Sequence, residues 1–241
     1  MTRYDTVQES IPRTRHRLRT LLIVLVVLIG LLVALDFGAR AFAESKVASE
    51  IQQQGFPKKP NVSINGFPFL TQVISRDFKN VTISSSNVTE GPLLIQSINA
   101  TMNGVHVNGS FNGGTVDSLN GTLNVTFAAL ASAMTSQAGA LGQLTGAGLT
   151  LSQAGPDEVK ATLDVLVASG TATWRVTRTD HNDISVQLVS SSGLTSSLLN
   201  GIGNITIPLP SLPMGLTIQS ISVTPSGLVG TVTGHNVSFG S

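Results

Sequence analysis

Five arginines (Arg3, Arg13, Arg15, Arg17 and Arg19) crowd the first twenty residues, and behind them Leu21 to Leu35 form an apolar run broken only by Gly30. No other feature restricts the chain so strongly. The core helix of a soluble domain does not usually show fifteen such residues in a row behind a basic cluster. As a helix the run spans about 22 Å, short of the roughly 30 Å of a bilayer's hydrocarbon core. It can continue through Phe37, Ala39, Ala41, Phe42 and Ala43, with Asp36 and Arg40 snorkelling on the far side. Two readings fit. One is a cleaved signal peptide, with Ala41-Phe42-Ala43 as a small-x-small site before Glu44. The other is an uncleaved signal anchor. In both, residues 1–20 stay on the cytoplasmic side, 21–43 form the signal or transmembrane helix, and 44–241 are exported. The exported part is then anchored to the membrane or released into the cell envelope. No adjacent Arg pair precedes the run, which points to the general export route rather than the twin-Arg one.

Beyond the leader the charge changes sign. From Glu44 onward there are eight basic and ten acidic residues, a net of −2. A nucleic-acid binder needs a basic face, so that class is excluded, and the arginines serve topology. Charged residues make up 11% of the chain against roughly a quarter in ordinary domains, yet 41% of it is apolar and the net charge is +1. That is not the signature of disorder. With no cysteine there is no disulfide framework, thiolate metal site or Cys nucleophile.

Residues 36–54 read as a helix that continues the leader, with Phe37, Ala41, Val47, Ala48 and Ile51 near one stripe, stopped by Gly55 and Pro57. After it, period-two alternation dominates. Val62/Ile64 and Val81/Ile83 alternate, and Leu94, Ile98, Ala100 and Met102 share one parity. Val105 and Val107 take the other, so the phase flips near Asn103-Gly104, as at a bulge or sharp bend. Val159–Val167, Ala172/Trp174/Val176 and Ile184/Val186/Leu188 alternate in turn, a second flip lies between Ile218 and Ile221, and the last strand region runs from Leu228 to Phe239. Short amphipathic helices are expected at Phe127–Ala138 and, more weakly, Leu194–Ile202, with a Gly-rich loop at Gly139–Gly148 and an extended crossing at Pro208, Pro210 and Pro213. Residues 93–107 fully extended would reach about 50 Å, more than a domain of this size is wide, so such strands must bend around something. The expected fold class is α+β: a long, curved antiparallel β-sheet rolled around a long N-terminal α-helix, preceded by a transmembrane or signal helix.

The chemistry is sparse. His106, His181 and His235 never fall at ligand spacing, and His16 lies in the leader. There is no nucleophile elbow, no His-Glu-x-x-His helix and no phosphate-binding Gly-Lys-Ser/Thr loop. Asp157-Glu158 and Asp180/Asp183 adjoin turn signals and read as solvated loop carboxylates. The sequence points to no enzyme, cofactor or metal. Nine Asn-x-Ser/Thr sequons, at Asn61, Asn80, Asn87, Asn99, Asn108, Asn120, Asn124, Asn204 and Asn236, follow from a composition rich in Asn and Thr. Several sit mid-strand, where a glycan would crowd the sheet.

The most specific words are Gly66-Phe67-Pro68-Phe69-Leu70-Thr71-Gln72, followed by Phe78-Lys79-Asn80-Val81-Thr82-Ile83. With the helix beginning Asp36-Phe37-Gly38-Ala39-Arg40, the closing Leu209-Pro210-Ser211-Leu212-Pro213-Met214-Gly215 and the strand Gly227–Gly234, they cover essentially 36–239. In these words the chain resembles the actinobacterial LmeA-like family of exported phospholipid-binding proteins. The resemblance implies a fold like one lobe of the tubular lipid-binding proteins, with a curved sheet around a long helix leaving an apolar channel. It implies phospholipid or phosphoinositide as ligand, the membrane as partner, and a role in building or moving envelope lipids, mannosylated inositol lipids among them.

A rolled sheet whose inner face is not filled by side chains would hold an acyl chain, favoured by roughly 0.8 kcal/mol per buried methylene. On this reading Phe67, Phe69, Leu70, Val73 and Ile74 form an apolar loop that gates the channel or dips into the bilayer, unless they are ordinary core. Leu130 and Met134 are candidates for the channel wall, and Lys58, Lys59, Arg76 and Lys79 for the lipid headgroup. The competing readings are a membrane-anchored structural β-domain without ligand and, behind it, a glycolipid hydrolase.

Overall fold

The computed structural model describes residues 14–53, 56–90, 93–137, 148–165, 168–179, 184–193, 204–207 and 217–240. A single helix, α1 (Thr14–Gln53), carries the apolar run on into residues 36–53 without a break and ends just before Gly55 and Pro57. After it come β1 (Asn61–Asn65), the short helix α2 (Phe69–Ser75), β2 (Asp77–Glu90), β3 (Leu93–Val107), β4 (Gly113–Thr126) and α3 (Phe127–Gln137). A meander follows: β5 (Gly148–Gly155), β6 (Glu158–Val165), β7 (Ala168–Arg178), β8 (Ile184–Ser192) and β9 (Asn204–Ile207). The hairpin β10 (Thr217–Thr224) and β11 (Gly227–Gly240) completes the order. The fold is thus α+β, a long N-terminal helix with extensive antiparallel sheet. The strands form two sheets, one of six strands in the order β1-β2-β3-β4-β11-β10 and one of five in the order β5 to β9. Neither sheet closes. The regions 139–147, 194–202 and 208–213, for which a loop, a helix and a crossing are expected, lie outside the described residues, as do Val167, His181 and the Asp180/Asp183 pair.

The phase flip at Gly104 is the trace of a crease shared by four strands. Phe78 pairs with Val105 and Asn80 with Asn103, but the ladder skips Lys79 and Gly104. It likewise skips Asp117 of β4 and Asn236 of β11, with register unchanged on either side. Along this line every strand reverses which parity faces the core. Val81, Met102 and Leu119 pack inward on one side, and Phe78, Val105, Val116 and Val237 on the other. Because all four strands flip together, the inner face stays continuously apolar across this line. Gly104 and Asn236 supply left-handed backbone, with φ of 60° and 49°. Asn87 (φ 53°) and Gln96 mark a second skip, between β2 and β3. It corrects the parity expected at the start of β3: Ile95 is buried and Leu94 is exposed. The flip expected between Ile218 and Ile221 is a bulge at Gln219.

A Cβ at position 104 would run into the Asp117 carboxylate. Gly104→Ala is expected to lose about 1–2 kcal/mol from the left-handed backbone alone, and more from that clash. Adding Asp117→Ala should recover most of the second part and none of the first, since the Asp117 Cβ stays 3.0 Å away, as read from urea unfolding of the single and double variants.

The core forms three patches in a row. Under the C-terminal half of α1, Ala48, Val62, Ile64, Phe69, Phe78, Val105 and Val116 form the first, with Ala39, Ala43 and Ile51 packed on it. The helix face that meets the sheet is therefore Ala39, Ala43, Ala48 and Ile51. Of the expected stripe, Ala48 and Ile51 face the core, whereas Phe37, Ala41 and Val47 are exposed. Three of the four inward positions are alanines, whose small side chains take little room between helix and strands. The second patch, around Val88, Ile95, Val125 and Ala129, joins the third, around Trp174, Val159, Ala172 and Phe127, through Leu130 of α3, which packs on both. The β10 strand ties the sheets together. Its Val223 N–H donates to the Pro156 carbonyl at 2.9 Å, and the Gln153 side chain donates to the Val223 carbonyl at 2.7 Å.

On the outer face the abundant asparagines make a polar chain across strands. Asn65 donates to Asn80 at 2.6 Å, Asn80 to Asn103 at 2.8 Å, and Asn103 to Ser118 Oγ at 3.4 Å. Cross-strand pairs of this kind stabilise a sheet surface that has no apolar cover.

Candidate functional site

Where α1 meets α2, three polar residues one helical turn apart (Asp36, Arg40 and Glu44) reach back to the chain that follows. Asp36 is 5% exposed, and it does not snorkel. Its Oδ2 accepts the Phe69 N–H at 2.8 Å and its Oδ1 the Leu70 N–H at 2.7 Å. These are among the amides that the first turn of a helix leaves without an intrahelical acceptor. Pro68, the residue before α2, provides no side-chain cap of its own, so a distant carboxylate does the capping. Glu44 accepts the Ile64 N–H at 2.8 Å, satisfying one amide on the free edge of β1, and also takes a 2.8 Å ion pair from Arg40. Arg40 in turn reaches Asn65 Oδ1 at 3.5 Å. The helix, the edge strand and α2 are fastened as one piece.

Gly66, with φ 113°, turns the chain from β1 into α2 against the buried Gln72 side chain, whose Oε1 accepts the Lys79 N–H at 3.1 Å. This turn sends alternate residues in opposite directions. Phe69 enters the core, 6.2 Å from the Phe78 ring, and Val73 packs half-buried on the same patch. Phe67 is 62% exposed and stacks on the exposed Phe37 of α1 at 6.1 Å, while Leu70 and Ile74 also face outward, Ile74 at 82% exposure. The loop expected to act as one apolar unit is thus half core and half uncovered edge. On α1, from about one turn before Phe37 back toward the N-terminus, Leu32 to Leu21 are exposed, and this helix is long and apolar enough to cross a membrane.

The headgroup candidates divide into two groups at opposite ends of β1. Lys58 donates to the Ser86 carbonyl at 2.9 Å and Lys59 to Ser45 Oγ at 3.3 Å, both away from α2. Arg76 terminates α2 in a left-handed conformation and, like Lys79, is exposed near the apolar edge. The Arg76 guanidinium lies over the β3–β4 turn at Gly109. Leu130 bridges two core patches. Met134 lies within α3, but its side chain is outside the described residues.

A cleft of about 440 Å³ opens elsewhere, between the β2–β3 pair and the β10–β11 hairpin. Val125, Leu228 and Val229 line it together with Ser86, Asn87, Gln96, Ser97, Asn124 and Ser226. Its size suits a small ligand or part of a larger one. It is not the wholly apolar slot that the sequence suggests, and none of the residues singled out for lipid lines it. The carboxylates Asp157 and Glu158 are not free in solvent. Both contact Arg175, at 3.4 and 2.6 Å. On the outer sheet face, His106 stands between Asp77 and Asp117 at 3.5 and 3.3 Å. Among the described residues no group of three or more His, Asp and Glu is placed to hold a metal.

With this architecture in view, comparison with known proteins defines the class. The family model for LmeA-like phospholipid-binding proteins matches residues 34–233, well over half of the 241. The chain belongs to the LmeA-like phospholipid-binding family. No curated protein and no solved structure shows significant similarity to it. The match begins two residues before Asp36, so the part of α1 that fastens α2 and β1 falls inside the family's unit.

Proposed function

We propose that this protein binds phospholipid, phosphoinositides included, on the outer side of the membrane that its own helix α1 crosses, and that it supports the building or transport of envelope lipids. Lipid binding follows from the family. The anchored, uncleaved state is supported by one observation above all: α1 runs unbroken from the apolar span into the domain, where Asp36 and Arg40 hold α2 and β1. Cleavage after Ala43 would remove both residues, together with Ala39 and Ala43 from the core packing. The headgroup reading narrows to Arg76 and Lys79, because Lys58 and Lys59 are engaged elsewhere. The packed core under α1 and the mixed lining of the cleft favour the second reading, a scaffold without ligand. The test is one that annular lipid cannot mimic.

The full chain in detergent micelles is exposed to a photoactivatable phosphatidylinositol or phosphatidylethanolamine, and the adducts are mapped by mass spectrometry. Adducts on peptides from 80–137, beyond the apolar edge of α2, are expected, with phosphatidylinositol adducts there reduced severalfold by Arg76→Ala combined with Lys79→Ala. Adducts confined to residues 14–79 would refute lipid binding by the domain and leave the scaffold.

A further inference from the structure

We infer that α2 is an interfacial foot. Its apolar edge (Phe67, Leu70 and Ile74, joined by Phe37 of α1) is embedded at the boundary between acyl chains and headgroups of the outer leaflet, and it extends the apolar run Leu21–Leu35 of α1, which is shorter than the hydrocarbon core. The inference rests on the anchored reading above. The run from Leu21 to Leu35 covers about 22 Å, and a hydrocarbon thickness of roughly 30 Å counted from Leu21 ends near Arg40. Asp36 therefore falls inside the apolar layer, where an exposed carboxylate is costly. The fold removes that difficulty: α2 lies over Asp36 and gives it two N–H donors, leaving the side chain 5% exposed.

The same short helix turns its own apolar side chains outward at the level where the run on α1 ends. Phe67 stacks on Phe37, so the two surfaces are continuous. The first charges after this level also fit an interface. Arg40 is held by Glu44, and Arg76 and Lys79 follow α2 on exposed positions suited to lipid phosphates. The occupant is thus the bilayer itself, because the patch continues the exposed apolar surface that Leu21 to Leu32 present on α1, a run that by itself falls short of a bilayer's hydrocarbon core.

The chain has no cysteine, so single ones report cleanly. Full-length variants Leu28→Cys, Phe67→Cys, Ile74→Cys and Thr122→Cys, each carrying an environment-sensitive fluorophore, are reconstituted into phosphatidylcholine vesicles containing phosphatidylinositol. Quenching by phospholipids brominated at shallow and deep chain positions is then measured. Label at 28 should be quenched from deep positions and label at 122, on the outer sheet face, not at all. The inference expects blue-shifted emission at 67 and 74, with quenching severalfold above that at 122 and strongest from the shallow bromines. Quenching at 28 with labels at 67 and 74 behaving like 122 would overturn the foot and leave the anchor standing. Absence of quenching at 28 would overturn the anchored reading and the foot with it. Lipid cross-linking to residues 80–137, which lie beyond the foot, is a separate readout, unaffected by either result.

Discussion

Replacing Asp36 with alanine is expected to release α2 from α1 and make the segment 66–79 exchange its amides on the order of a hundredfold faster. Two amides lose a charged acceptor in a place from which water is excluded. Hydrogen bonds to charged groups contribute about 1.5–3 kcal/mol each, so roughly 3 kcal/mol of local stability is at stake, and each factor of ten in opening takes about 1.4 kcal/mol. Hydrogen exchange with peptide-level mass spectrometry on the full chain in detergent reads this directly. Asp36→Asn keeps one oxygen able to accept and should fall between wild type and alanine. Arg40→Ala should do less, because Arg40 and its partner Glu44 are partly exposed and such ion pairs contribute little. Unchanged exchange at Phe69 and Leu70 in the alanine variant would show that α2 is held by its apolar side alone.

The second large effect separates two phenylalanines that stand two residues apart. Phe69→Ser should destabilise the domain by about 3–5 kcal/mol, since it empties a site 3% exposed and puts a hydroxyl there. For a domain of this size that corresponds to a fall in Tm on the order of 10 °C. Phe67→Ser should leave stability within about 0.5 kcal/mol, because only the stack with Phe37 is lost. Thermal unfolding of each variant, followed by calorimetry, gives the comparison. A double change at both positions would mix core damage with loss of surface and could not test a gate. Equal losses for the two single variants would mean that the edge around Phe67 is structural.

Much of this architecture was legible from periodicity. Alternation located the strands, the change of parity at Gly104 located the crease, and Gly55 with Pro57 located the end of α1. The long apolar helix was legible because fifteen apolar residues behind five arginines have few other uses. Three things were not legible, each for a physical reason. The division into two sheets depends on which strands pair, and alternation is the same for either partner. The inward face of α1 is legible only at its C-terminal end, at Ala48 and Ile51, because pattern reading rewards large apolar residues, whereas earlier on the helix it is Ala39 and Ala43 that meet the core and Phe37 that turns outward. Asp36 looked like a charge in search of water, because its partners are backbone amides more than thirty positions away and leave no trace in side-chain composition. The one local hint was Pro68 before α2, a residue with no side-chain group to cap the helix that it opens.

The crease through Lys79, Gly104, Asp117 and Asn236 limits how these strands can change length. Adding or deleting one residue in a single strand beside it would turn that strand's oily side to the solvent while its neighbours kept theirs inward. Such an edit becomes tolerable only when made in all four strands together. Chain length is therefore pinned along this line, and insertions belong in the turns that the ladder does not cross.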